Sequence, residues 1–220
     1  MKIVGYLRTS LIEWPGKIAS VIFVPGCNFR CPFCHNSNLV DPQKIKKLPL
    51  IAEKEILSDL KKRKEWIDGV VVTGGEPTLQ PDLAVFLQKI KKLGFLTMIQ
   101  TNSSKPAIIR NLLKKKLIDY LTIDFKDSFT NIQKSLKIIL DSGIDFELRT
   151  TVVPTIHDEK VLLKMAGHLP RLTKFPWFLQ AFQPKNCLDP QFEKIKPYSK
   201  MEMEKFLRVV KKIFPSVCLR

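Results

Sequence analysis

No apolar run in the 220-residue sequence approaches the roughly 20 residues with which a helix crosses a bilayer. The opening stretch MKIVGYLRTSLIEWPGK also lacks the continuous apolar core of a secretory signal. These absences lead us to expect a cytoplasmic protein without membrane attachment. Low-complexity tracts, linkers and internal repeats are missing too, apart from a strand–helix period, so a single domain over 1–220 is expected. Acidic residues are scarce: 21 Asp and Glu face 37 Lys and Arg, a formal charge of +16. Such an excess can serve an anionic partner. Its lysines, however, are spread along predicted helix faces (Lys61, Lys62, Lys64; Lys89, Lys91, Lys92; Lys114, Lys115, Lys116), the pattern of solvated surfaces and not of a basic strip interleaved with aromatics. Nucleic acid is accordingly not an expected partner. Cysteines are few and odd in number, five in all, with three inside eight residues. That disfavours a disulfide framework and suits a metal site in a reducing compartment.

With 45% hydrophobic residues the composition is globular, and the chain is long enough to bury a sizeable core. Short apolar runs of the kind found in buried parallel strands recur: SVIFV (20–24), GVVVT (69–73), LTMIQ (96–100), YLTIDF (120–125), LRTTVV (148–153) and WFLQAF (177–182). Amphipathic helical patterns lie between and after them, at 52–66, 81–94, 105–117, 131–143, 159–169 and 199–214. Pro81 and Pro106 are placed in first helical turns, and Gly94 and Gly143 at helix C-caps. A period of about 25 to 30 residues is that of the βαβ unit. Six such units fall short of the eight that close a full barrel, so an α/β fold is expected, an open, partial (β/α)6 barrel of TIM type. Functional residues then belong on loops at the C-terminal ends of the strands. The proline-rich segment 184–198 is expected to be irregular, a lid or partner-facing loop across the open side.

The first run leads directly into PGCNFRCPFCHN, with Cys27, Cys31 and Cys34 spaced C-x3-C-x2-C. Thiolates select zinc, copper(I) or iron–sulfur clusters. Zinc needs a fourth ligand, such as His35, whose adjacency to Cys34 makes convergence awkward. A cubane cluster accepts three protein ligands when a small molecule takes the fourth iron. The second run ends in Gly74, Gly75, Glu76 and Pro77. Such glycines allow close approach of a ligand, and a carboxylate pairs with an ammonium. Polar groups also close later strands: Gln100, Thr101 and Asn102, then Asp124 and Lys126, which are either an ion pair or ligand contacts. His157 and His168 read as surface or capping residues, and Trp14, Trp66 and Trp177 as packing, with Trp14 placed near a partner-facing mouth.

The cysteine spacing, with Phe33 before the third cysteine, resembles the cluster loop of the radical S-adenosylmethionine superfamily, and TGGEP resembles that family's segment for the methionyl amine. The longer set TSLIEWPGKIASVIFVPGCNFRCPFCHN, TGGEPTLQ, QTNSS, DFKD, LRTTVVP and LQAFQP is similar to the glycyl-radical-enzyme activases. Within that group it resembles most the activating proteins of anaerobic ribonucleoside-triphosphate reductase. The WPG segment and the CHN tripeptide carry the narrower resemblance.

The resemblance implies a 4Fe-4S cluster held by Cys27, Cys31 and Cys34, with S-adenosylmethionine on the remaining iron and a 5′-deoxyadenosyl radical released by one-electron cleavage. It implies that the backbone of Phe33 meets adenine, that Gly74, Gly75 and Glu76 hold the methionyl amine, and that Thr101 and Asn102 approach the ribose or a cation. Asp124, Lys126 and Arg149 would hold the carboxylate side, and Gln183 would sit near the adenosine. The implied partners are a glycyl-radical enzyme, the anaerobic ribonucleotide reductase, and an electron donor such as flavodoxin or ferredoxin. The chain has Gln100 and Gln183 where formate-lyase activases carry an aspartate and a histidine. An alternative is a radical enzyme acting on a phosphorylated or nucleotide-like metabolite.

Overall fold

The computed structural model describes residues 1–126, 129–169 and 175–220. Its strands are β1 (Gly5–Ser10), β2 (Ala19–Val24), β3 (Gly69–Gly74), β4 (Leu96–Thr101), β5 (Tyr120–Asp124), β6 (Asp145–Val152), β7 (Trp177–Ala181) and β8 (Val217–Leu219). They form one sheet in chain order. β1 runs antiparallel to β2, and β2 to β8 are all parallel. A parallel sheet that never reverses its order, with right-handed crossovers, carries its helices on one face and curls into a barrel. Here β1 and β8 are its two edges, so the barrel is partial.

The six predicted strands are β2 to β7, and the structure adds two. Gly5–Ser10 was missed because it has no continuous apolar run, and Val217–Leu219 because it is only three residues long. The main helices are α3 (Glu53–Lys62), α4 (Leu83–Lys92), α5 (Pro106–Lys114), α6 (Phe129–Ser142), α7 (Glu159–Gly167) and α8 (Lys200–Lys211), after two single turns, α1 (Ser37–Val40) and α2 (Pro42–Ile45). Pro106 opens α5, and Gly94 and Gly143 follow their helices at positive φ. Pro81 lies ahead of α4 rather than in it, because Asp82 takes the N-cap position.

Alternation along each strand separates two cores. Outward side chains such as Ile22, Val72, Ile99, Leu121 and Leu148 pack with Ile56, Leu60, Phe86 and Ile90 from the helices. Inside, at the N-terminal ends of the strands, Trp14 joins Ala19, Val21, Val71 and Met98, and its ring centroid lies 6.1 Å from that of Tyr120. Gly69 leaves room for it, since a Cβ there would fall 2.7 Å from the indole. Trp14 therefore plugs the floor of the barrel and does not stand at the mouth. His168 caps α7, whereas His157 is buried, with Nδ1 accepting from Val153 N at 3.1 Å.

Candidate active site

Cys27, Cys31 and Cys34 occupy the loop at the C-terminal end of β2. GGEP, at the end of the neighbouring β3, is what holds that loop. Gly75 N donates to Val24 O (2.8 Å), Glu76 N to Gly26 O (2.7 Å), and Asn36 Nδ2 to Gly74 O (2.9 Å). The two segments are so close that a Cβ on Gly75 would fall 2.0 Å from Gly26 O, and one on Gly74, at φ +116°, 2.6 Å from Val24 backbone. Here the glycines are required by the chain's own backbone.

Glu76 has a similar inward task. It is 1% exposed, and its Oε1 accepts from Thr101 Oγ1 (2.6 Å), Thr78 Oγ1 (2.6 Å) and Thr78 N (3.0 Å), while Oε2 accepts from Asn102 N (2.7 Å). A carboxylate offers about four acceptor sites, so these donors occupy most of its capacity. Burial pushes its carboxyl up, against the pull of those bonds. Glu76 thus ties the ends of β3 and β4 together. Thr101 is turned into Glu76 and buried. Asn102 reaches the cysteine loop, with Nδ2 3.0 Å from Asn28 Oδ1 and 3.7 Å from Cys27 Sγ.

Across the mouth, a cavity of about 190 Å³ brings Cys31, Phe33, Cys34, His35 and Asn36 together with Asp124, Lys126, Arg149 and Thr151. Asp124 and Lys126 are both an ion pair, at 3.1 Å, and part of the cavity wall. A second cavity of about 490 Å³ lies on the other side of the loop, beside Phe29, Ile156 and His157, and shares Cys31, Phe33 and Lys126 with the first. A cavity of about 530 Å³ at the opposite end, against Tyr120, Phe146 and Pro176, holds none of the expected site residues. Burial pushes the three thiols up, and the positive charge of Lys126 opposes it. Burial works against the Lys126 ammonium, but Asp124 and the cysteine sulfurs outweigh it and hold it charged.

The segment 184–198 contains a 3-10 turn at Pro190–Lys194 and is pinned to the cysteine loop by Asp189 N to Pro32 O at 2.9 Å. Its Cys187, Phe192 and Ile195 share an apolar cluster with Phe33, Val153 and Phe182, on which Cys31 also rests. Gln183 is exposed and lines neither cavity at the loop. Asp127, the last residue of the DFKD motif, lies outside the described residues.

Below the mouth the lumen is polar. Thr73 pairs in register with Phe23, and Gln100, Thr122 and Glu147 lie side by side on β4 to β6. Thr73 Oγ1 donates to Gln100 Oε1 (2.8 Å), and Gln100 Nε2 to Glu13 Oε2 (2.8 Å) on the loop between β1 and β2. Barrels of this kind usually fill such a layer with bulky apolar groups. Glu13 and Glu147 escaped the sequence reading. The signal was the alternation in DFELRTTV, which puts Glu147, Arg149 and Thr151 on one face of a strand with apolar neighbours on the other.

Among the described residues, no three His, Cys, Asp or Glu side chains converge tightly enough to grip a single ion. A tetrahedral zinc site holds its sulfurs at about 2.3 Å from one ion. A cubane instead takes each thiolate on a different iron, which suits three thiols spread along one loop, so the donor set fits a cluster.

A family model described as the radical SAM superfamily matches residues 21–165. A Methanocaldococcus jannaschii protein, provisionally named as a glycyl-radical enzyme activating enzyme, is 32% identical over 98% of this chain and 94% of its own length. The pyruvate formate-lyase-activating enzyme of Clostridium pasteurianum is 28% identical over 72% of this chain and 71% of its own. Among solved structures, a radical SAM methyltransferase from Sphaerobacter thermophilus superposes with a TM-score of 0.71 over 96% of this chain and 68% of that one; at 13% identity this likeness carries the fold alone. Cysteine loop, barrel and relatives agree, and the chain belongs to the radical SAM superfamily, among its glycyl-radical-enzyme activating enzymes.

Proposed function

We propose that this chain generates a glycyl radical on the anaerobic ribonucleoside-triphosphate reductase. The observation that supports it most is the meeting of Cys31 and Cys34 with Asp124, Lys126 and Arg149 in one cavity, in a chain that matches an activating-enzyme relative along almost its whole length. Gln100 and Gln183, where formate-lyase activases carry an aspartate and a histidine, favour this partner over formate-lyase.

In this reading Cys27, Cys31 and Cys34 hold a 4Fe-4S cluster whose fourth iron is left for S-adenosylmethionine. When bound, that pair supplies one-electron cleavage of a carbon–sulfur bond and, from it, a 5′-deoxyadenosyl radical able to take hydrogen from a glycine Cα. The chain's own residues do the positioning. Arg149 and Lys126 present positive charge to the methionyl carboxylate, and Asp124 keeps Lys126 protonated and offers a partner for the amine. Phe33, Val153 and Phe182 cover the cysteine loop and limit water. The half-buried Thr73, Gln100 and Thr151 offer hydrogen bonds to the backbone of an inserted peptide loop. The segment 184–198, packed on the cysteine loop, is the part of this single domain that meets the partner. A cytoplasmic setting, with flavodoxin or ferredoxin as electron donor, belongs to the same reading.

The test is an electron paramagnetic resonance spectrum of anaerobically reconstituted, reduced protein with S-adenosylmethionine and the same organism's anaerobic reductase. A glycyl-type radical with matching 5′-deoxyadenosine is the expected result. Deoxyadenosine without that radical would overturn the partner and favour a metabolite substrate. Neither product from protein with full iron content would overturn the reading entirely.

A further inference from the structure

Glu147 stands on β6 in the lumen and is wholly enclosed (0% exposed). Two cations meet its carboxylate. Arg149 donates through Nε to Oε1, and Arg220 donates through Nη1 to Oε1 (2.9 Å) and through Nη2 to Oε2 (3.3 Å). Tyr120 Oη (3.2 Å) and Thr122 Oγ1 (3.4 Å) complete its surroundings. Arg220 is fixed in turn, its guanidinium 4.0 Å above the Phe178 ring and its main-chain N 3.1 Å from Leu179 O.

Arg149 lies two residues along the same strand, so its side chain leaves the same face as Glu147. Its terminal nitrogens meet Glu13 on the loop between β1 and β2. Nη2 is 3.3 Å from Glu13 O and Nη1 3.9 Å from Glu13 Oε2, and the side chain borders the cavity of Cys31, Cys34 and Lys126. A long arginine side chain loses much rotamer freedom when it is ordered, so a guanidinium already fixed binds an anion with less entropy lost.

We propose that Glu147, braced by Arg220, is a positioning residue that holds the Arg149 guanidinium toward the cysteine cavity to pair with the carboxylate of the methionyl cofactor. This rests on the functional reading above and adds the support behind its arginine.

The experiment is equilibrium dialysis of anaerobically reconstituted protein with S-adenosylmethionine and, separately, with decarboxylated S-adenosylmethionine, which keeps the sulfonium, amine and adenosine. Wild type should bind the carboxylated ligand well over about tenfold tighter, since Lys126 adds to Arg149 and one charge-assisted pair is worth about tenfold. Glu147→Gln and Arg149→Gln should each lower that ratio by the same factor of about ten, with iron content and affinity for the decarboxylated ligand unchanged, and the double variant should lose nothing more. A merely structural Glu147 would weaken both ligands alike and leave the ratio intact, which overturns the proposal. Loss of the ratio in Arg149→Gln but not in Glu147→Gln also overturns it while leaving the arginine's role standing; a wild-type ratio near one overturns both. Should Glu147→Gln fail to fold, Arg220→Gln substitutes for it: a fall in the ratio supports the brace, and a wild-type ratio rejects it.

Discussion

Asn102 Nδ2 lies 3.7 Å from Cys27 Sγ, joining the end of β4 to the first cysteine of the β2 loop. The same amide donates to Asn28 Oδ1 at 3.0 Å, so it fixes both the sulfur and the loop that carries it. Partners behind a metal ligand typically contribute about 10- to 100-fold to metal retention. Asn102→Ala should therefore lose iron and sulfide to a chelator at least about tenfold faster than wild type, with an unchanged circular dichroism spectrum. Equal loss rates would reject the role.

Gly75→Ala should fail differently. Its new Cβ would collide with Gly26 backbone and not with a movable side chain. Overpacking of this kind costs about 1–3 kcal/mol, and here the strain falls on the start of the cysteine loop. We expect lowered stability in urea together with poor cluster loading. Gly167→Ala, in α7 with no atom near the new methyl, should be neutral or slightly stabilising and serves as the control.

The plug at the barrel floor has its own signature. Trp14→Ala removes a 4% exposed indole that packs on Val71 and Met98, and should cost about 3–5 kcal/mol in chemical denaturation. A loss below about 1 kcal/mol, the size of a surface change, would show that Trp14 does not close the floor.

Acid should loosen the attachment of β1 to α3. Asp59 accepts from Tyr6 Oη (2.8 Å) and Arg8 Nη2 (2.6 Å) and lies 3.6 Å from Arg63. Burial alone would raise its carboxyl, but the Tyr6 hydroxyl and the two arginines outweigh it and hold the carboxyl below the usual range. A depressed folded pKa gives stability that is present above the unfolded value, about 3.9, and is lost as pH falls through the folded one. Asp59→Asn should thus flatten the decline in stability below about pH 5 while costing no more than about 1 kcal/mol at neutral pH. An identical acid limb in both proteins would exclude Asp59 as its source.

The features that sequence alone revealed are those in which one stretch of chain carries its own signal. Apolar runs marked β2 to β7, and cysteine spacing marked the loop after β2. β1 gave none, because its Leu7, Arg8 and Thr9 are exposed and it is ordered by pairing with β2. Among site residues, Asp124, Lys126 and Arg149 reach the cavity because side chains at the C-terminal ends of parallel strands converge there. The bonds of Glu76 and Thr101 were not legible for a physical reason: a motif tells which groups are present, not which neighbours they engage. Two of the bonds to Glu76, from Thr101 Oγ1 and Asn102 N, join strand ends that lie about 25 residues apart in the chain. Gln183 was carried to the site by resemblance; its side chain is exposed beyond β7 and lines neither cavity at the loop.

The sequential strand order bears on how the site is assembled. Each parallel strand pairs with the one before it, so a chain growing from its N-terminus can lay down the sheet one strand at a time. The cysteine loop is made early, on β2, but the contacts that complete its cavity arrive late. Glu13 must wait 136 residues for Arg149, and Glu147 another 73 for Arg220. A nascent chain therefore carries exposed thiols well before it can shelter them, and iron delivered during synthesis would meet an unfinished, solvent-open loop. On the reading proposed above, metal insertion is best timed after β8 has joined the edge of the sheet.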